Sequence, residues 1–249
     1  MAREQEREGA TPLRIMAVPT AADHLLPPLI QGFREQRPGI EMSVAVGNRD
    51  AALAALARHE VDLVITGWAP QSDEYRGVPF AETEHVLVTR PEDALARRQW
   101  VAVEELGGRP WLVREPGSGI RALTESYLAT HQIHPELLSI GSNAAIVNGV
   151  KVGLGIAIQN RLTVQSALDF GVVAAITPRG GLPRREWLAV TSRVGPRREA
   201  VDSFVAYLQS DAARIFMSRA RQAELARARR ELARHWGDVP EARRLSQTH

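Results

Sequence analysis

Apolar and polar residues along this chain switch period repeatedly, from two to about 3.6 and back. Leu13 to Val18 alternates as a strand. Thr20 and Asp23 then form a near capping-box start. Leu25, Leu26, Leu29, Ile30 and Phe33 follow at helical spacing, with Pro27-Pro28 forcing a kink or a delayed start. Pro38-Gly39 ends that helix. Ile40 to Val46 returns to alternation, Asn48 caps a short helix bearing Leu53 and Leu56, and Val61 to Ile65 reads as a buried strand. Strand, helix, strand, helix, strand with short connections predicts a parallel sheet wound right-handedly.

Past Gly67 the pattern loosens into a loop from Ala69 to Gly77, and a strand runs from about Glu84 to Thr89. Alternation resumes with strands at 110–113, 137–140, 155–158 and 172–176, separated by helices at 119–131, 143–151 and 161–169. Trp187 to Thr191 is a further strand, and a helix over about Arg198 to Gln209 buries Val201, Phe204, Val205 and Leu208. The expected fold is α/β with two lobes: 12–88 with 190–209 as lobe I, and 89–189 as lobe II. Extended segments 84–90 and 187–193 serve as crossovers. Residues 1–11 read as a leader or the end of a linker, and 210–249 as an Arg-rich helical tail. Ligands of such sheets bind outside the carboxyl ends of strands, so a cleft between the lobes is the expected site.

The junction Arg114-Glu115-Pro116-Gly117-Ser118-Gly119-Ile120-Arg121 stands out. Pro116 and two glycines force a tight loop that lets backbone approach a ligand. Ser118 is a good N-cap, and the N–H groups of residues 119 to 121 point out of the helix start toward an anion. Arg121 sits in the first turn, where the helix dipole disfavours a cation unless an anion is bound. The plainer alternative pairs Arg121 with Glu125 one turn on and leaves Ser118 as a cap. On the first reading, Gly117, Ser118, Gly119 and Arg121 hold the anion. Thr20 and Asn48 contact it from the first lobe, and Asn143 from the start of a second-lobe helix.

Composition narrows the classes. At 249 residues and 44% hydrophobic, the chain buries one large core or two small ones. No stretch of 18 apolar residues spans a membrane, and Met1 to Glu8 lacks the apolar run of a secretory signal, which points to the cytoplasm. Zero cysteines exclude disulfides and thiolate chemistry. Net charge is +2, but from Ser210 onward nine arginines face five acidic residues, so the tail carries +4 and the rest −2. The body is therefore not a basic nucleic-acid module. There is no nucleophile elbow, no zinc-protease motif and no phosphate loop with lysine, so no catalytic residues, cofactor or metal ligands are assigned. Gly149, Gly153 and Gly155 lack dinucleotide spacing and read as a helix end with a tight entry into a strand.

From Leu13 to about Gln209 the chain resembles the effector-binding domain of LysR-type transcriptional regulators. The resemblance rests on Leu25-Leu26-Pro27-Pro28; Val46-Gly47-Asn48-Arg49 with Val61-Asp62-Leu63 and Gly67; Arg114 to Arg121; and Gly141-Ser142-Asn143 followed by Gly153-Leu154-Gly155. It is nearest to the carbon-fixation branch of that family. The resemblance implies a type II periplasmic-binding-protein-like fold, a homodimer and a small anionic metabolite as effector. It implies DNA binding only through a helix-turn-helix domain that this chain does not carry. The chain departs from that branch at Ile120, where threonine is usual, at Ala144 and Val147, where a glutamate and a lysine are usual, and at Trp68, where arginine is common. A solute-binding protein of the same fold, serving transport or sensing, is the alternative.

Overall fold

In the computed structural model, residues 12–68, 70, 72–195, 198–219 and 222 are described. The expected leader (1–11) and most of the Arg-rich tail lie outside them. Lobe I begins with β1 (Leu13–Ala17), which pairs in parallel with β2 (Met42–Val46) and β3 (Leu63–Thr66), Ile15 standing opposite both Val44 and Leu63. Two helices make the first crossover. Val18 is the extended residue before α1 (Pro19–His24), and Pro19 takes its first position, where a missing N–H costs nothing. The helix breaks at Leu25 and restarts as α2 (Leu26–Gln36), which places Pro27 and Pro28 in a first turn that tolerates them. Thr20 thus lies inside the first turn rather than at its cap. The second crossover is α3 (Arg49–Ala57), capped as expected by Asn48, whose Oδ1 accepts from Ala51 N at 3.0 Å.

The loop expected at 69–77 closes earlier than the sequence suggests, because β4 (Tyr75–Thr83) runs through its last residues. It forms the edge of the lobe I sheet, where Pro79 leaves no ladder bond unmade on the open side. Sheet order is β2-β1-β3-β10-β4, with β10 (Arg185–Ser192) antiparallel to both neighbours. α2 buries Leu26, Leu29 and Phe33 against α7 (Glu199–Leu208), where the rings of Phe33 and Phe204 meet edge-on at 5.0 Å. Gly32 allows this approach: a Cβ there would lie 2.2 Å from the Tyr207 hydroxyl oxygen. Residues 211–219 continue as helix, covering the start of the expected tail.

Lobe II has β5 (His85–Thr89) between β8 (Ala157–Asn160) and β9 (Ala174–Ile176), both antiparallel to it. β6 (Trp111–Val113) and β7 (Leu137–Ser139) pair in parallel, and a bridge from Trp111 to Ile156 joins them to the strand leading into β8. α4 (Gly119–Thr130), α5 (Asn143–Lys151) and α6 (Arg161–Asp169) complete the lobe. Gly155 admits the bridge, since a Cβ there would sit 2.4 Å from the Pro110 carbonyl oxygen.

The lobe boundaries differ from the expected 89–189. β5 belongs wholly to lobe II from His85, and β10 belongs to lobe I from Arg185. Glu84 and residues 177–184 are therefore the crossovers, rather than 84–90 and 187–193. Each of these strands lies between two others in its own sheet, so the chain changes lobe before or after it and not within it. Among the described residues, no helix is long and apolar enough to cross a membrane.

Candidate functional site

The carboxyl ends of β1, β2 and β3 face the loop after β6, and between them lies a cleft with about 70 Å³ open to the centres of water molecules. By the ~10–15 Å³ that one water needs, this holds about five waters, or a ligand of comparable bulk. Thr20, Asn48, Ser118, Gly119 and Asn143 line it, as expected from sequence. Gly117 and Arg121 do not.

Ser118 is the N-cap of α4 and is 6% exposed, yet its hydroxyl makes no capping bond. The N–H groups of Gly119, Ile120 and Arg121 find no protein acceptor among the described residues. These are the orphan donors of a helix start, aimed at a buried polar wall, and they suit an oxyanion.

Arg121 resolves its dipole conflict without a ligand. Its Nε donates to Glu125 at 2.7 Å, and its Nη1 donates to the Arg114 carbonyl at 3.0 Å and the Ser139 hydroxyl at 3.2 Å. The plainer alternative holds for this residue. The guanidinium binds the back of the loop instead of facing the cleft, so Arg121 braces the loop after β6 and does not line the cleft. Gly117 has φ +84 and shapes the turn.

The lobe I candidates bridge the lobes. Asn48 Nδ2 donates to the Pro116 carbonyl at 3.3 Å, and Asp50 N donates to the Gly117 carbonyl at 3.2 Å. Asn143 Nδ2 donates to the Thr20 hydroxyl at 3.2 Å, and that hydroxyl lies 3.2 Å from the hydroxyl of Thr163. Asn143 is the first residue of α5. The cap is Ser142, whose hydroxyl accepts from Ala145 N. Thr20, Asn48 and Asn143 thus fasten the cleft shut as well as line it.

Three arginines also line the cleft, Arg49, Arg114 and Arg185, and no aspartate or glutamate does. Arg114 is buried, donating to Asn143 Oδ1 at 2.6 Å and to both oxygens of Glu115 at 2.7 and 3.0 Å. Burial works against the charge of Glu115, but its bonds with Arg114, a backbone N–H and the nearby cation outweigh that and hold its carboxyl below the usual range. Arg49 pairs with Asp50 at 2.7 Å. Arg185 has no carboxylate partner among the described residues. Burial, and then the charge of Arg49, push its pKa down.

His85 stands at the hinge with Nδ1 3.4 Å from the Pro183 carbonyl, tying one crossover to the other. Burial drives its pKa to about 4, against the pull of that carbonyl, while Arg185 lowers it further and Glu84 raises it. It is a neutral imidazole in ordinary buffers. A larger groove of about 1330 Å³ shares Thr83, His85, Asn160 and Arg185 with the cleft. Asp23, Glu82, Glu84 and Glu186 balance its cations, so it offers no comparable anion site.

Arg49, Arg114, Arg185 and Trp187 also line the cleft and are not among the residues expected there from sequence. Arg114 was visible as the first residue of the singled-out loop. Arg185 had one local cue, its place two residues after the Gly181-Leu182-Pro183 turn.

The LysR substrate binding domain family matches residues 6–213. The chain belongs to that family. Its two lobes and paired crossovers are the type II periplasmic-binding-protein-like fold. The RuBisCO operon transcriptional regulator of Acidithiobacillus ferrooxidans is 31% identical over 197 residues, 78% of this chain and 63% of that protein. The transcriptional regulator CbbR of Rhodospirillum rubrum is 31% identical over 208 residues, 83% of this chain and 68% of its own length. The chain thus spans about two thirds of the regulators it matches. Among solved structures, the regulatory domain of Synechocystis PCC6803 CcmR in complex with 2-PG superposes with a TM-score of 0.74. It shares 25% identity, over 79% of this chain and 95% of that one.

Proposed function

We propose that this LysR-type domain senses a small organic anion in the inter-lobe cleft and passes its occupancy to transcription. The observation that carries the reading is electrostatic. The cleft gathers three arginines and the free N–H groups of a helix start, with no acidic side chain in its wall. The 2-PG complex of the related CcmR domain supports a compact acidic metabolite, as does kinship with RuBisCO-operon regulators. Ser118 and the N–H groups of Gly119, Ile120 and Arg121 grip the anion, while Thr20, Asn48 and Asn143 close over it. Gly117 and Arg121 act by shaping the loop. The domain works in the cytoplasm as a homodimer, without catalysis or a cofactor, and reaches DNA through a helix-turn-helix outside this chain.

A ligand bound only by the folded state must raise the melting temperature with concentration. The test is a thermal-shift series with phosphorylated and carboxylic acids, repeated on Ser118→Ala and on Arg219→Ala. One neutral-donor bond is about 0.5–1.5 kcal/mol, so Ser118→Ala should weaken binding roughly three- to tenfold. Arg219→Ala, on the last helical run, should bind as the parent does. A cleft reading that is wrong will show itself as equal affinities for all three.

A further inference from the structure

The charge pattern within the cleft is divided between its walls. Lobe II contributes the helix start at Ser118 and the buried Arg114, whose charge is already matched by Glu115. Lobe I contributes Arg185 and Trp187. They are two residues apart on β10, before the irregularity that follows Trp187, so their side chains project from the same face of the sheet. Both line the cleft.

The Arg185 guanidinium lies over the ring of Trp68 at 4.5 Å, a contact that uses none of its five N–H donors. Arg49 approaches the same ring at 5.6 Å, so two cations share one aromatic surface and repel each other. Trp187 is 4% exposed, and its indole N–H is buried with no acceptor among the described residues. An orphaned buried donor is uncommon in a folded protein, because leaving it unpaired costs more than a formed hydrogen bond returns. Trp187 and Arg185 both line the cleft from one face of β10, and Arg185 has no carboxylate partner among the described residues, so this wall supplies donors that lack an acceptor.

We propose that the effector carries two acidic groups and that Arg185, seated on Trp68 and two residues from Trp187 on the same face of β10, is the subsite for the second of them. The first group is held at Ser118 on the opposite wall. This rests on the cleft being the effector site, and it narrows the ligand class to short bifunctional acids, such as phosphorylated hydroxy acids or dicarboxylates. Arg49 adds charge at the rim and favours a doubly charged group there.

Calorimetric titration of the full chain with phosphoglycolate, glycolate and inorganic phosphate tests this. The parent should bind phosphoglycolate at least tenfold tighter than either one-headed anion. Arg185→Gln should lose roughly 10- to 100-fold for phosphoglycolate, the effect of removing a charge-assisted bond, and less than about threefold for glycolate. Trp187→Phe keeps a ring and removes the N–H, and should lose roughly three- to tenfold. Arg185→Lys keeps the charge without the fork and serves if the glutamine variant fails to fold; it should fall between parent and Arg185→Gln. If phosphoglycolate binds in a Ser118-dependent way while every Arg185 and Trp187 variant matches the parent, the cleft reading stands and the second subsite is wrong. A parent preference below threefold also overturns the second subsite. If the parent binds none of the three at millimolar concentration, the cleft reading falls, and this inference with it.

Discussion

Gly117→Ala separates the strain of a turn from the closure of the two lobes. Gly117 has φ +84, where an L-residue costs about 1–2 kcal/mol. Alanine returns about 0.4–1 kcal/mol by restricting the unfolded chain, so the backbone alone predicts a net loss of about 1 kcal/mol. The added Cβ would also stand 3.2 Å from both Asn48 Nδ2 and Asp50 Oδ2, across the cleft in lobe I. Those residues carry the bonds Asn48 to Pro116 O and Asp50 N to Gly117 O, each contributing about 0.5–1.5 kcal/mol. The exposed Asp50 carboxylate swings aside without disturbing its backbone N–H bond, so the cost to the closed form is that of the Asn48 bond, about 0.5–1.5 kcal/mol, a shift of roughly two- to twelvefold toward open at ~1.4 kcal/mol per decade. Gly153 is the control. Its φ is +82 and a Cβ there would meet Arg90 Nη1 at 3.2 Å, but that side chain is flexible and belongs to the same lobe. Urea unfolding should show comparable backbone losses in Gly117→Ala and Gly153→Ala. Only Gly117→Ala should lengthen the distance between spin labels placed by Glu35→Cys and Ser126→Cys, in a chain that has no cysteine of its own. Dilution with unlabelled chain keeps the reading intramolecular. Identical distance distributions in the two variants would refute the role of this contact in closure.

His85 is neutral when folded, with its pKa lowered from 6.5 to about 4, so below pH 6.5 the unfolded chain takes up a proton that the folded chain refuses. Stability should fall by about 3 kcal/mol between pH 6.5 and 4 at ~1.36 kcal/mol per unit, and His85→Gln should flatten that part of a urea-unfolding pH profile. Asp62 behaves oppositely. Burial opposes its charge, but bonds from Arg14 and Arg198 outweigh this and lower its pKa, so its contribution is present at neutral pH and is lost as pH falls below ~4. Asp62→Asn should cost about 2 kcal/mol at pH 7, less than a fully buried pair because Arg14 is 37% exposed, and the difference from the parent should shrink in acid.

Most helices were legible because cap and period agreed. α5 and α6 fall on the residues expected, each preceded by a Ser or Asn that accepts from the first turn. β4 was not expected from the sequence, which ran from a loop ending at Gly77 to a strand beginning near Glu84. Gly77, Pro79 and the charged Arg76 and Glu82 interrupt its alternation, and only Val78 and Phe80 betray a buried face. An edge strand accepts such residues, and composition cannot say which strand will be the edge. In the site, the Gly117-Ser118-Gly119 turn announced the helix start. For Arg121 two readings stood open, an anion in the cleft or a pair with Glu125, and the sequence did not show the Arg114 carbonyl and Ser139 hydroxyl that turn its guanidinium away from the cleft. Glu125 one turn later and the Arg114 carbonyl satisfy it at the back of the loop. Arg185 could not be placed without the antiparallel register of β10, which sets it opposite Thr83 and beside the end of β3.

The same geometry explains how binding becomes movement. The buried apolar clusters each lie within one lobe, and Leu162 of α6 is the partly buried side chain that packs across onto the lobe I core. The lobes are therefore stiff, while their relative pose rests largely on neutral hydrogen bonds of about 0.5–1.5 kcal/mol each. Moving such an equilibrium from 1:99 to 99:1 takes about 5.5 kcal/mol of differential affinity. An anion held only at Ser118 meets lobe I through the neutral side chains of Thr20 and Asn48 alone, and favours the closed form only by those bonds. An anion that reaches Arg185 as well spans both lobes, and its second charge-assisted contact exists in the closed form alone. That contact contributes about 1.5–3 kcal/mol and the Trp187 N–H about 0.5–1.5, together a shift of roughly 30- to 1,500-fold toward the closed form, most of which the second acidic group supplies. On the two-subsite proposal, it is the division of charge between the two walls that couples binding to closure.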